Sequence, residues 1–276
     1  MKKSIILIAV AVLTIAGSVM AGDVVKSVNT GKQDSQNVLL DNAYLSIGAG
    51  IDSDYLAGKT SLFEAAGLSL GLPVTKLKNG AVVGAQVSMG ATAIEFDPSR
   101  DRQISSVQDN DSHRGIYDVT LGLFVRNLKL GSNQAALGLM CDYVYTAKSN
   151  NLLGVRPIAG VTLTDKDEVG ITGRAGVVAG GGEEIVDEIN LFWTHVWNKN
   201  IVTSSKCGYL FGDIRELISG TSIEYRITKH VSAIASTLMD GDGNYNAGIT
   251  LVIGGKGQVG PDLEQIRGNG LNPFHK

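Results

Sequence analysis

From Ala43 onward, apolar side chains fall at every second position, with Gly, Ser, Thr or a charged residue between them. A period of two marks an extended strand whose two faces meet different surroundings. In Ala43–Asp52, Ala43, Leu45, Ile47, Ala49 and Ile51 share one face, and Ser46, Gly48, Gly50 and Asp52 the other. Leu62–Val74 sets Leu62, Ala66, Leu68, Leu70, Leu72 and Val74 against Ala65, Gly67, Ser69 and Gly71. Next, Val83, Ala85, Val87, Met89, Ala91 and Ala93 oppose Gly84, Gln86, Ser88, Gly90 and Thr92. Tyr117, Val119, Leu121, Leu123 and Val125 oppose Asp118, Thr120, Gly122 and Arg126, and Leu137, Leu139, Cys141, Tyr143 and Tyr145 oppose Gly138, Asp142 and Thr146. The pattern returns around Val155–Thr164, Glu168–Ala179, Ile185–Trp197, Ile201–Asp213, Thr221–Lys229, Val231–Met239 and Tyr245–Ile253. This predicts about twelve strands, each near the roughly 9–11 residues of a tilted membrane-crossing strand. The eighth, ninth and eleventh alternate less cleanly, so ten or fourteen strands stay open.

The connections alternate in length. Tight turns fall at Lys78-Asn79-Gly80, Lys129–Asn133, Asp165-Lys166-Asp167, Asn198-Lys199-Asn200 and Thr228-Lys229-His230. Mostly longer links lie between them, at Ser53–Thr60, Asp97–Arg114, Ser149–Leu152, Gly180–Gly182, Asp213–Ser219 and Asp240–Asn244. The aromatics obey both parity and height: Tyr117, Tyr143, Tyr145, Tyr209, Phe211 and Tyr245 share the apolar face beside the longer links, and Trp197 has that parity at the opposite end. A ring selected by face and height is an interfacial girdle.

Over Ala43 to about Gly257 the chain therefore resembles bacterial outer-membrane β-barrel proteins, as an architectural class. The resemblance implies an all-β fold, an antiparallel up-and-down transmembrane barrel with both termini in the periplasm. It also implies outer-membrane lipid and the barrel-assembly machinery as partners. Such barrels usually close on a strand with a C-terminal aromatic, whereas here a polar tail, 258–276, follows the last strand.

Composition changes the picture in three places. Lys2 and Lys3, the apolar run Ile5–Ile15 and Val19-Met20-Ala21 read as a signal peptide over residues 1–21, followed by a polar periplasmic segment over 22–42. Loss of the two lysines would take the net charge from −3 to −5. With no basic cluster, nucleic acid is excluded as a partner class. The chain has 35 glycines against 5 prolines, which suits a wall with one small-residue face. Its two cysteines, Cys141 and Cys207, have outward parity on the fifth and ninth strands and are expected to be unpaired.

Candidate chemistry thins out on inspection. Gly67-Leu68-Ser69-Leu70-Gly71 matches a nucleophile elbow, but alternation runs straight through it where a strand-to-helix turn is required. Gly58-Lys59-Thr60 lacks the partner glycine of a phosphate loop, since position 53 is Ser53. Asp240-Gly241-Asp242-Gly243-Asn244 has Tyr245 and Leu251 where a calcium loop needs Gly and Glu. Gly180-Gly181-Gly182 precedes no helix. His195, outward and near Thr203 or Ser205, makes a lipid-facing hydrolase conceivable, but no orienting third residue is evident. No cofactor, metal site or enzyme activity is expected. The strongest constellation is Asp142, Arg156, Arg174, Glu188, Lys206 and Glu224, inward and one per strand, facing a wall of Ser46, Gly48, Ser69, Gly84, Gln86, Ser88, Thr120, Gly248 and Thr250. It reads either as a salt-bridge ladder or as the charged side of an aqueous path. The expected function is a narrow passive pore or a structural envelope barrel. A surface-interaction protein acting through Asp97–Arg114 and its neighbouring loops is the alternative.

Overall fold

The computed structural model describes residues 43–54, 59–95, 113–146, 151–179, 184–212, 215–228 and 230–254. The leader, the 22–42 segment, the polar tail and most of the 97–114 link lie outside the described residues. Twelve strands follow one another: β1 (Ala43–Asp54), β2 (Lys59–Lys76), β3 (Val82–Glu95), β4 (His113–Leu130), β5 (Asn133–Thr146), β6 (Asn151–Thr162), β7 (Asp167–Ala179), β8 (Glu184–Asn198), β9 (Ile201–Gly212), β10 (Glu216–Thr228), β11 (Val231–Asp240) and β12 (Tyr245–Gly254). Each pairs antiparallel with its neighbours in sequence, and β12 returns to β1 from Tyr44↔Gly254 to Ser53↔Tyr245. The result is a closed barrel without an edge, so the ladder satisfies the backbone polar groups of the wall internally.

Strand count and parity agree with the alternation. Two links are shorter than the sequence pattern suggests. Asn151 and Leu152 belong to β6, and Glu216–Ser219 belong to β10, because flanking strands offer partners there: Leu152 opposes Val144, and Leu217 opposes Tyr209. The third tight turn is 163–166, with Asp167 already opening β7. Gly80 closes the first tight turn at φ +89°, a left-handed conformation that glycine adopts freely, and its N–H donates to the Leu77 carbonyl at 2.9 Å.

Four register shifts interrupt the ladders, at Pro73/Thr75, Val125/Leu128, Val196/Asn198 and Arg226/Thr228. All four sit at the tight-turn end. Pro73 has no N–H to donate, which accounts for the first. Asn127, at φ 59°, takes up the second.

The outward face is apolar and exposed, with Leu121, Leu139, Leu153, Leu191, Ile223 and Ile249 among its members. The inward face is polar but also holds bulky side chains: Phe63 with Ala65, Phe124 with Met140 and Ile158, and Phe192 with Ala136. These seat on glycines. A Cβ on Gly50 would meet the Phe63 ring at 2.6 Å, and Cβ atoms on Gly170 and Gly122 would overlap Phe192 and Met140. The inward glycines are thus sockets for large neighbours as well as small wall residues.

Cys141 and Cys207 are free and exposed on the outer face of β5 and β9. Four strand spacings of about 4.8 Å separate them around the wall, far beyond the roughly 7 Å Cα limit of a disulfide. Intact mass after alkylation is expected to show two labelled thiols. In bilayers both should react slowly with a membrane-impermeant maleimide, and an intramolecular disulfide would contradict the strand order.

Candidate functional site: the lumen wall

Because side chains alternate across each strand, every second residue of the wall is delivered to the lumen, and inter-strand register decides which of them meet. Thr120 of β4 stands opposite Asp142 of β5, and its hydroxyl donates to Asp142 Oδ1 at 2.8 Å. Arg156 of β6 reaches the same carboxylate through Nε at 2.8 Å to Oδ2 and Nη2 at 2.9 Å to Oδ1. This two-point contact fits the planar guanidinium and fixes its orientation. Arg174 of β7 lies 3.6 Å from Asp142 Oδ2 and 3.2 Å from Glu188 Oε2, its register partner on β8. Glu188 in turn accepts from Asn190, which also reaches Thr172 Oγ1 at 3.4 Å. A continuous ion-paired seam therefore crosses β5 to β8, with Thr120 of β4 hydrogen-bonded to its end.

Of the six charges the sequence pattern singles out, four join this seam: Asp142, Arg156, Arg174 and Glu188. Lys206 and Glu224 also have inward parity but stand elsewhere along the wall. Lys206 opposes Phe192 and Gly220, and its stem occupies space beside Gly220. Glu224 opposes Val202 and accepts from Arg226 Nε at 3.3 Å, two residues along its own strand. Inward parity alone does not decide which of these charges meet; the register between strands does.

Several inward groups lie outside those six. Asp118 lies across Gly90, where a Cβ would collide with its carboxylate. Glu168 and Arg226 are buried, and the Arg126 guanidinium stands 5.9 Å from the centre of the Phe124 ring. Parity alone identifies the face of all four; the inward phenylalanines carry the same signal.

The lumen is not uniform around its circumference. Between β2 and β9 many of its polar residues are buried and bonded to one another. Ser69 and Ser88 hydroxyls are 2.8 Å apart, Gln86 Nε2 donates to Ser88 Oγ at 3.1 Å, and Thr194 and Ser204 hydroxyls are 2.6 Å apart. In the middle of β1 and β10–β12, by contrast, Ser46, Gly48, Ser222, Ser236, Gly248 and Thr250 are only half-buried. One side is packed and crossed by ion pairs, and the middle of the other presents mostly small, polar, half-buried residues.

Outside the barrel, Tyr117, Tyr143, Tyr145, Tyr209, Phe211 and Tyr245 are exposed near the long-link end, with the Tyr117 and Tyr145 ring centroids 6.2 Å apart. Trp197 is exposed at the opposite rim, where its indole N–H donates to Thr203 Oγ1 at 3.1 Å. His195 stands opposite Thr203 in register, between Trp193 and Trp197. The orienting residue that the sequence did not reveal is Asp167, whose Oδ1 lies 2.7 Å from His195 Nδ1. Among the described residues no serine or threonine hydroxyl is hydrogen-bonded to that imidazole.

No family model and no curated protein matches the chain. Among solved structures, an outer-membrane channel from Pseudomonas putida F1 superposes with a TM-score of 0.53 at 8% identity, covering 81% of this chain and 99% of that one. The KdgM porin gives 0.48 at 10% identity over 75% and 98% of the two chains. Outer membrane phospholipase A from Escherichia coli gives 0.46 at 15% identity over 78% and 93%. At these identities the likeness is one of fold, and the fold is that of outer-membrane β-barrel proteins.

Asp142 is the keystone of the seam, since it faces two arginines. Asp142→Asn is expected to destabilise the barrel by about 3–5 kcal/mol, the usual cost of stripping a buried charge of its partner. Loss of the heat-resistant compact band on an unheated gel, followed against temperature, measures this.

Proposed function

We propose that this chain is a narrow passive pore of the bacterial outer membrane, with both ends of the barrel sequence in the periplasm. The observation that carries the reading is the asymmetry of the lumen. A half-buried wall of Ser, Gly and Thr on β1 and β10–β12 faces an ion-paired wall on β5–β8. Small polar side chains leave room for water, while fixed charges on the opposite side set which ions enter. Phe124 and Phe192 restrict the bore from the packed side, while Phe63 of β2 leans over Gly50 and Gly248, so the conducting path runs off-axis, along the rest of the small-residue wall.

Two measurements test this reading. The chain is expected to fractionate with outer membranes and to resist carbonate extraction, as its closed apolar exterior requires; recovery as a soluble periplasmic monomer would overturn it. In planar bilayers, purified protein is expected to give small, steady conductance steps. Arg174→Glu should then shift the permeability ratio several-fold toward cations in a barrel that still folds. A lowered thermal midpoint with unchanged selectivity would assign the seam a purely structural role.

A further inference from the structure

The two rims of the barrel differ chemically. At the long-link end the exposed outer residues include five tyrosines and a phenylalanine among leucines such as Leu62 and Leu217, and the charged residues there are mostly acidic, with Asp187, Glu216, Asp240 and Asp242 beside Arg215. The tight-turn end repeats another unit. Its first turn exposes Leu77 between Lys76 and Lys78, its second exposes Leu130 beside Lys129, its third Leu163 near Lys166, and its fourth Trp197 near Lys199. These five lysines are exposed, and none forms an ion pair among the described residues. Among the described residues the acids at these turns are Asp165, Asp167 and the buried, inward Glu168, all at the third turn, and Asp167 is engaged by His195, Trp193 Nε1 and Thr164. The first two turns hold three lysines and no acid.

We propose that this rim is a binding site for anionic phospholipid headgroups. An exposed leucine or tryptophan beside a lysine at the end of a membrane strand can place its apolar part at the hydrocarbon boundary. The ammonium then extends to headgroup height, where a phosphate accepts from it. Because these turns come at every second strand from β2 to β9, the units form an arc that meets one leaflet at one depth. The Trp193–His195–Trp197 group adds an apolar anchor whose indole N–H groups are already satisfied by Asp167 and Thr203, so charge recognition falls to the lysines. Each lysine near an anionic surface contributes roughly fivefold to the partition. The inference rests on the reading of the chain as a membrane barrel.

Full-length protein is equilibrated in mixed micelles holding equal amounts of phosphatidylglycerol and phosphatidylcholine, and retained lipids are counted by native mass spectrometry. Phosphatidylglycerol is expected to exceed phosphatidylcholine at least several-fold, and the excess should fall at high ionic strength. The triple variant Lys76→Gln, Lys78→Gln, Lys129→Gln should lose most of it. Equal retention of the two lipids by the wild-type chain, or an excess insensitive to salt and unchanged in the triple variant, overturns the proposal. If the variant does not fold, the salt dependence of the wild-type chain decides. Both tryptophans of the chain, Trp193 and Trp197, lie on this rim. Their quenching by brominated phosphatidylcholine in vesicles therefore checks insertion separately: no quenching would overturn the membrane reading itself, whereas quenching with equal lipid retention overturns the headgroup site alone.

Discussion

Closure of the hydrogen-bonded wall is the constraint on which everything else in this molecule depends. A sheet surrounded by hydrocarbon has nowhere to send an unpaired N–H or C=O, so β12 must return to β1 with its ladder intact. Once the ring is closed, each strand has both neighbours fixed, and a slip of one residue anywhere would turn an apolar row inward and a polar row outward. The uniform alternation is the consequence: each strand has to present the same phase to a barrel that cannot open to correct it.

Inside that ring, space and charge are settled together. Several bulky inward residues lean on glycines of nearby strands, as Phe63 does on Gly50 and Gly248 and Phe192 on Gly170. The ion pairs of β5–β8 lie on the same packed side, where the desolvation cost of a lone charge would be high. Asp142 offsets this by accepting from Thr120 and Arg156 while facing Arg174. On the opposite side the mid-strand residues are mostly small and only half-buried, and it is there that the lumen remains accessible.

Parity made the fold legible from residues alone: the twelve strands, the face of each side chain and the girdle tyrosines follow from a period of two. Strands β8, β9 and β11 looked irregular for a reason the structure supplies. Phe192, Val196, Val202, Ile234 and Leu238 are apolar yet inward, and Thr203 and Ser205 are polar yet outward near a rim. The seam was only half legible. Parity places six charges in the lumen, but the pairing of Arg174 with Glu188, or of Arg156 with Asp142, depends on register between strands, which leaves no trace in the local pattern. Asp167 escaped for the same reason, since it meets His195 only at the far end of the β7–β8 hairpin.

The four ladder irregularities share one end of the barrel, and this has a consequence for how the sequence can drift. A single inserted residue reverses the phase of everything beyond it until another irregularity restores it. With Pro73/Thr75, Val125/Leu128, Val196/Asn198 and Arg226/Thr228 all next to the tight turns, the reversed stretch is only a few residues long and never enters the middle of the wall. The tight-turn rim is thus a buffer zone for insertions and deletions. Related chains are free to vary in length there, while the central rows of each strand stay in step with one another.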